Sequence, residues 1–194
     1  MTFLKPLWPL LAAFSLMASA TAQAQEAPAL PRIGGDFALT THLGQAATQA
    51  NFSDKPLVIF FGYTFCPDIC PTTLAEMVGW VEELGQDKDK LHYVFVSVDA
   101  GRDDQETLAY YVDAFFDELV GLYGPQDRID EIVRAYRVYA KKVVDPEEAS
   151  DYTIDHTASV YLMDRDNRYA GMISFGESHD AAVAKLRKLI DEAT

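Results

Sequence analysis

Hydrophobic positions along the chain fall into short runs whose spacing changes from one run to the next. Residues 56–63 are apolar almost throughout, the pattern of a strand buried on both faces of a sheet that helices cover. Leu74, Met77, Val78, Val81 and Leu84 then recur at helical spacing and stop at Gly85, which predicts an amphipathic helix over residues 72–84 with a glycine at its end. Residues 91–98 read as a second buried strand, 99–104 as a polar turn and 105–116 as a helix. A short strand at 120–123 follows, then Gly124-Pro125 and a helix over about 127–136. Further on, 138–144 resembles an edge strand and 145–150 an acidic loop. Residues 157–163 and 169–174 alternate as a hairpin around Arg165-Asp166-Asn167, and 180–191 reads as a closing amphipathic helix. Ahead of the central strand, 36–40 looks like a short strand and 51–55 like a turn.

The resulting order, β-α-β-α-β-α-β-β-α with no internal repeat, is that of a thioredoxin-like α/β sandwich, in which helices flank a central mixed sheet. Residues 36–194 are expected to form this domain and 25–35, with their prolines and paired glycines, a tether leading into it. The first 24 residues read as an export signal. Lys5 is the lone charge, an apolar run follows, and Ala22-Gln23-Ala24 is a cleavage signature. An uncleaved membrane anchor is the competing reading, opposed by Pro6 and Pro9 within a run shorter than the ~20 residues a span needs.

Charge narrows the partners. The net charge of −14 becomes −15 once residues 1–24 are removed, because they carry Lys5 and no acid. Such a chain repels nucleic acid and anionic lipid. A monomer is the simplest reading of a single domain of this size.

Cys66 and Cys70 are the only cysteines, and they stand where the central strand gives way to a helix. With the helix running from about Ile69, Cys66 lies just ahead of it and Cys70 in its first turn, close enough to share one ion or one disulfide. Free N–H groups at the helix start favour thiolate over thiol, and Pro67 and Pro71 stiffen the turn. Export places the pair in an oxidising compartment, the periplasm, where a bare dithiol tends toward a disulfide unless reduced or metallated.

Of the four histidines, His92 opens a strand and is expected to be structural, while His42 and His179 sit in polar surroundings and are expected to be solvated. His156 ends a polar run and stands at the mouth of the 157–163 strand. From that loop it can reach both sulfurs. Two thiolates and one imidazole make a soft set suited to copper in either oxidation state, with a position left for a partner's ligand. Zinc is the competitor, since the same set is also a catalytic zinc pattern, and Asp151 and Asp155 are the nearby carboxylates that such chemistry would use. His156 acting as a base for a thiol is a third use of the same residues.

GYTFCPDICPTTL at 62–74, VSVD at 96–99, AYRVYAKKV at 135–143 and DYTIDHTASVYLMD at 151–164 together resemble the Sco/SenC family of copper-binding assembly proteins. The match runs in order over nearly all of the chain after the tether. It implies a thioredoxin-like fold with an added β-hairpin, copper held at Cys66, Cys70 and His156, and a role in maturing the dinuclear CuA centre of cytochrome c oxidase, whose copper-site subunit would be the partner. Other copper chaperones or thiol reductants would serve as further partners. Many members are anchored by an N-terminal helix, which this leader departs from, and many carry proline where this chain has Ala100. Asp99 is expected either to support the site or simply to end its strand as a turn former. Two other functions stay open: a thiol-disulfide oxidoreductase that reduces the oxidase cysteines, and a redox or copper sensor.

Overall fold

The computed structural model describes residues 32–144 and 152–193. The leader, most of the tether, the acidic loop at 145–150 and Asp151 lie outside the described residues. Nine strands and four helices follow in order: β1 (Ala38–Thr41), β2 (Ala46–Thr48), β3 (Leu57–Gly62), α1 (Ile69–Leu84), β4 (His92–Ser97), α2 (Gln105–Val112), β5 (Leu119–Tyr123), α3 (Gln126–Ala135), β6 (Ala140–Val144), β7 (Tyr152–His156), β8 (Val160–Met163), β9 (Tyr169–Ile173) and α4 (His179–Glu192). Short stretches of tight helix stand at Gln49–Phe52 and Gly85–Lys90.

Seven strands form one sheet in the order β2-β1-β5-β4-β3-β8-β9, parallel between β3, β4 and β5 and antiparallel elsewhere. β3 is buried at every position, as its unbroken apolar run requires. Phe60 packs on Phe95, and Phe61 on Tyr136 and Tyr161, so the strand that leads to the thiols is wedged in aromatic side chains. α1 packs against α4, and α2 lies over β5. The sandwich of helices and mixed sheet foreseen from the element order is present. α1 ends where Gly85 takes φ +58°, a conformation that favours glycine.

Several local expectations fail for identifiable reasons. α2 stops at Val112 instead of 116, because Phe115 and Phe116 leave the helix to pack edge-on against Tyr111 and Tyr93. β2 is three small or polar residues with no alternation to betray it. The polar run before His156 is a strand, not a loop: β7 pairs with β6 in a separate two-stranded ribbon that buries Ile154 and leaves Thr153 and Asp155 exposed. This ribbon is the added hairpin. His42 is 8% exposed, and its Nδ1 accepts the Gly121 N–H at 3.0 Å, so the expectation of a solvated ring is wrong. His179 is half-exposed and bonds Glu83 at 2.7 Å, and His92 bonds Asp54 at 2.6 Å while its ring meets Phe52.

Candidate metal centre

Three elements converge at the end of β3. The chain leaves Gly62, turns through residues 63–68 with the Cys66 N–H bonded to the Tyr63 carbonyl at 3.2 Å, and enters α1 at Ile69. Cys70 therefore sits in the first turn and is fully buried, whereas Cys66 is partly exposed ahead of it. Gly62 permits this close approach, since a Cβ there would stand 2.6 Å from the Cys70 sulfur and 2.8 Å from the Phe95 ring and would force one of them to shift. His156 arrives as the last residue of β7, opposite Ala140.

Cys66, Cys70 and His156 are the one group of three His, Cys or acidic side chains, among the described residues, whose ligand atoms all lie within 4.8 Å of one another. The His156 Nε2 is 3.2 Å from the Cys70 Sγ, and Nδ1 is 3.1 Å from the Thr157 carbonyl. A carbonyl only accepts, so Nδ1 carries the proton and Nε2 turns its lone pair toward the sulfurs, the tautomer a metal ligand needs. Phe60 and Tyr63 pack on the imidazole at centroid distances of 6.1 and 5.8 Å.

The two thiols divide one proton. The Cys70 side chain hydrogen-bonds Cys66, and the main-chain N–H groups of Asp68 and Cys70 add to it; together they outweigh burial and bring Cys66 down from 9.0 to about 4. Cys70 is pushed the other way, by that same hydrogen bond and by burial. Cys66 is thus a thiolate at neutral pH and Cys70 its thiol partner; both are free of any disulfide.

Side chains from the turn after β4 brace this arrangement, and sequence reasoning missed most of them. Asp103 is buried and accepts from the Thr64 N–H at 3.0 Å, the Thr64 hydroxyl at 2.7 Å and the Ser97 hydroxyl at 2.5 Å. It ties the thiol loop to β4. Burial raises its carboxyl above the ordinary range. Arg102 lies 3.6 Å over the Tyr152 ring and 5.0 Å from that of Phe65, and donates to the Tyr152 carbonyl at 2.9 Å and to Asp99 at 2.5 Å. Asp99 also accepts the Tyr152 hydroxyl at 2.7 Å, so it holds the hairpin that carries His156 instead of merely closing its strand. The arginine and second aspartate of D-x-x-R-D at 99–103 were the available signal. Nothing in a polar turn marks which of its charges points inward. Asp155, weighed as a carboxylate for zinc chemistry, is exposed on β7.

Comparison with known proteins agrees with this geometry. The family model described as SCO1/SenC matches residues 25–191. The chain belongs to that family. It is 40% identical over 141 residues to the mitochondrial SCO1 homolog of Homo sapiens, covering 72% of this chain and 46% of that protein. The chain spans about half the length of the curated relatives it matches. Among solved structures, copper-bound ScoI of Bradyrhizobium japonicum superposes with a TM-score of 0.74 at 43% identity, covering 81% of this chain and 99% of that one. Copper-bound yeast Sco1 gives 0.76 at 29% identity, covering 84% and 91%. The fold reading and the family resemblance drawn from the four motifs both stand.

Proposed function

We propose that this protein is a copper carrier of the periplasm that binds one ion through Cys66, Cys70 and His156 and delivers it to the CuA centre of cytochrome c oxidase. The observation that carries this reading is the approach of two sulfurs and an unprotonated imidazole nitrogen to within 4.8 Å of one another. Sulfur ligands select copper(I), and the nitrogen keeps copper(II) acceptable. Copper is also what the solved relatives from Bradyrhizobium japonicum and yeast hold. A half-exposed Cys66 beside a buried Cys70 leaves one side of the ion open, so a client's thiolate can enter before the carrier's ligands leave.

Export is supported by the leader pattern, and no helix of the described residues is long and apolar enough to cross a membrane. Several relatives carry mitochondrial names, a compartment that also houses an oxidase to be assembled. A second reading, thiol-disulfide exchange on the oxidase cysteines, is favoured by the low value of Cys66 beside a thiol able to resolve a mixed disulfide. The two are compatible, because a dithiol client site must be reduced before it takes copper.

The deciding experiment is titration of the reduced protein with copper followed by X-ray absorption. Two sulfurs and at least one nitrogen per copper support the carrier. Four sulfurs, or none, reject the proposed ligand set.

A further inference from the structure

Successive side chains of β7 alternate in exposure. Thr153 and Asp155 face solvent, while Tyr152, Ile154 and His156 share the face turned toward the body of the protein. Ile154 is buried there, and Tyr152 lies about 13 Å from His156 along the strand. β6 and β7 pack chiefly on each other. A cleft of about 180 Å³, with Asp99, Asp130, Lys142, Tyr152 and Ile154 in its walls, separates part of the ribbon from α3 and the turn after β4. Few contacts therefore hold the ribbon that brings the imidazole to the thiols, and those of Tyr152 are the most specific.

The Tyr152 hydroxyl donates to Asp99 Oδ1 at 2.7 Å. A Cβ on Gly101 would stand 3.0 Å from that oxygen, so bare backbone makes room for it. The Arg102 guanidinium carbon lies 3.6 Å from the ring centre and the Lys142 ammonium 3.3 Å. Two cations that close to one centroid cannot share a face, so they enclose the ring from both sides. Arg102 comes from the turn after β4 and also donates to the Tyr152 carbonyl at 2.9 Å. Lys142 comes from β6, where it opposes Ile154 and stands diagonal to Tyr152.

We infer that Tyr152, closed between Arg102 and Lys142, is a positioning residue of the metal centre: it latches the far end of the ribbon to the turn after β4 and so keeps His156 against the sulfurs. The inference rests on the copper reading given above. The latch acts on copper only through the imidazole, and because Lys142 is exposed, one surface charge tunes it.

The test uses the full chain, reduced, as parent, Tyr152→Leu, Tyr152→Phe and Lys142→Gln, each with His156 intact and with His156→Ala. Copper affinity is read by competition against a chelator of known strength. Tyr152→Leu should weaken binding on the order of tenfold. Tyr152→Phe, which keeps the ring between its cations, should retain most of the parental affinity, and Lys142→Gln should lose about two- to threefold. With His156→Ala all three effects should vanish, because the ligand they act through is already absent. A second readout needs no metal: nuclear Overhauser contacts between the His156 and Tyr63 rings, whose centroids are 5.8 Å apart, should fade in Tyr152→Leu and persist in Tyr152→Phe. Parental affinity in Tyr152→Leu, or the same loss with and without His156, overturns the inference and leaves the carrier intact. A Tyr152→Phe protein as weak as Tyr152→Leu overturns it too, by placing the hold in the hydroxyl alone. So does unchanged affinity in Lys142→Gln, a surface substitution that decides the matter should Tyr152→Leu fail to fold. Copper bound as tightly by His156→Ala as by the parent overturns the carrier's ligand set and the inference together.

Discussion

The Nε2 of His156 stands 3.2 Å from the Sγ of Cys70, although 86 positions separate them in the chain. Neither residue can adjust far. Cys70 is pinned between α1 and the Cβ-free backbone of Gly62, and His156 is the last paired residue of a ribbon stapled by Arg102 and Asp99. The fold itself therefore holds these side chains together, so an ion that bound there would meet a preorganised set at a lower ordering cost.

His156→Ala removes one of three donors while leaving both sulfurs in place. Copper affinity should drop by a few kcal/mol, on the order of a hundredfold or more, in a competition titration against a chelator of known strength. Thiol exchange with a small disulfide should persist. Unchanged affinity would remove the imidazole from the proposed ligand set.

Protonation of Cys66 makes the metal-free, reduced protein pH-dependent. Its value of about 4 lies below the ordinary 9.0, so between those limits the unfolded chain binds a proton that the folded chain does not, and stability rises with pH across that window. Cys70 has the opposite sign: its contribution is complete below the ordinary value and is lost as pH rises past it. Thermal melts should show stability climbing from about pH 5 to about pH 8 relative to Cys66→Ser, and iodoacetamide should label Cys66 but not Cys70 at the acidic end. A parent and a serine variant with parallel pH profiles would refute the assignment.

Gly62→Ala places a methyl group where the Cys70 sulfur and Phe95 already stand, at 2.6 and 2.8 Å. The expected outcome is a loss of ~1–3 kcal/mol from overpacking, read by denaturant unfolding, together with weaker copper binding because the sulfur is displaced. Wild-type behaviour in both measurements would contradict the close approach.

Asp103→Asn retains size but points an amide at donors that now share three hydrogen bonds with a carboxylate. One or two buried donors go unsatisfied, at a cost of ~1–3 kcal/mol. The thiol loop should loosen, which faster hydrogen exchange of the Thr64 amide would report. Protection equal to the parent's would show that Asp103 is not what holds the loop.

Much of this was open to inspection in the chain itself. The apolar run at 57–62, the helical spacing ending at Gly85, the two cysteines at a strand-to-helix turn and the lone histidine before a late strand were all legible, because burial, helical periodicity and helix-end chemistry act over a few residues. What escaped depended on partners far away. The polar stretch 152–155 became a strand only because 140–144 lay ready to pair with it. His42 was buried by the neighbouring β5 backbone, and Arg102 and Asp103 acquired roles only through the groups they met across the fold.

Local order thus determined which side chains had the right chemistry: two thiols at a helix start and one imidazole, with the sheet and helices to carry them. Tertiary packing alone decided that the imidazole of His156 meets the thiols, and which buried charges hold the loop and the ribbon in place. Those choices depend on distances of a few ångströms between segments remote in the chain, and no pattern within a single segment encodes them.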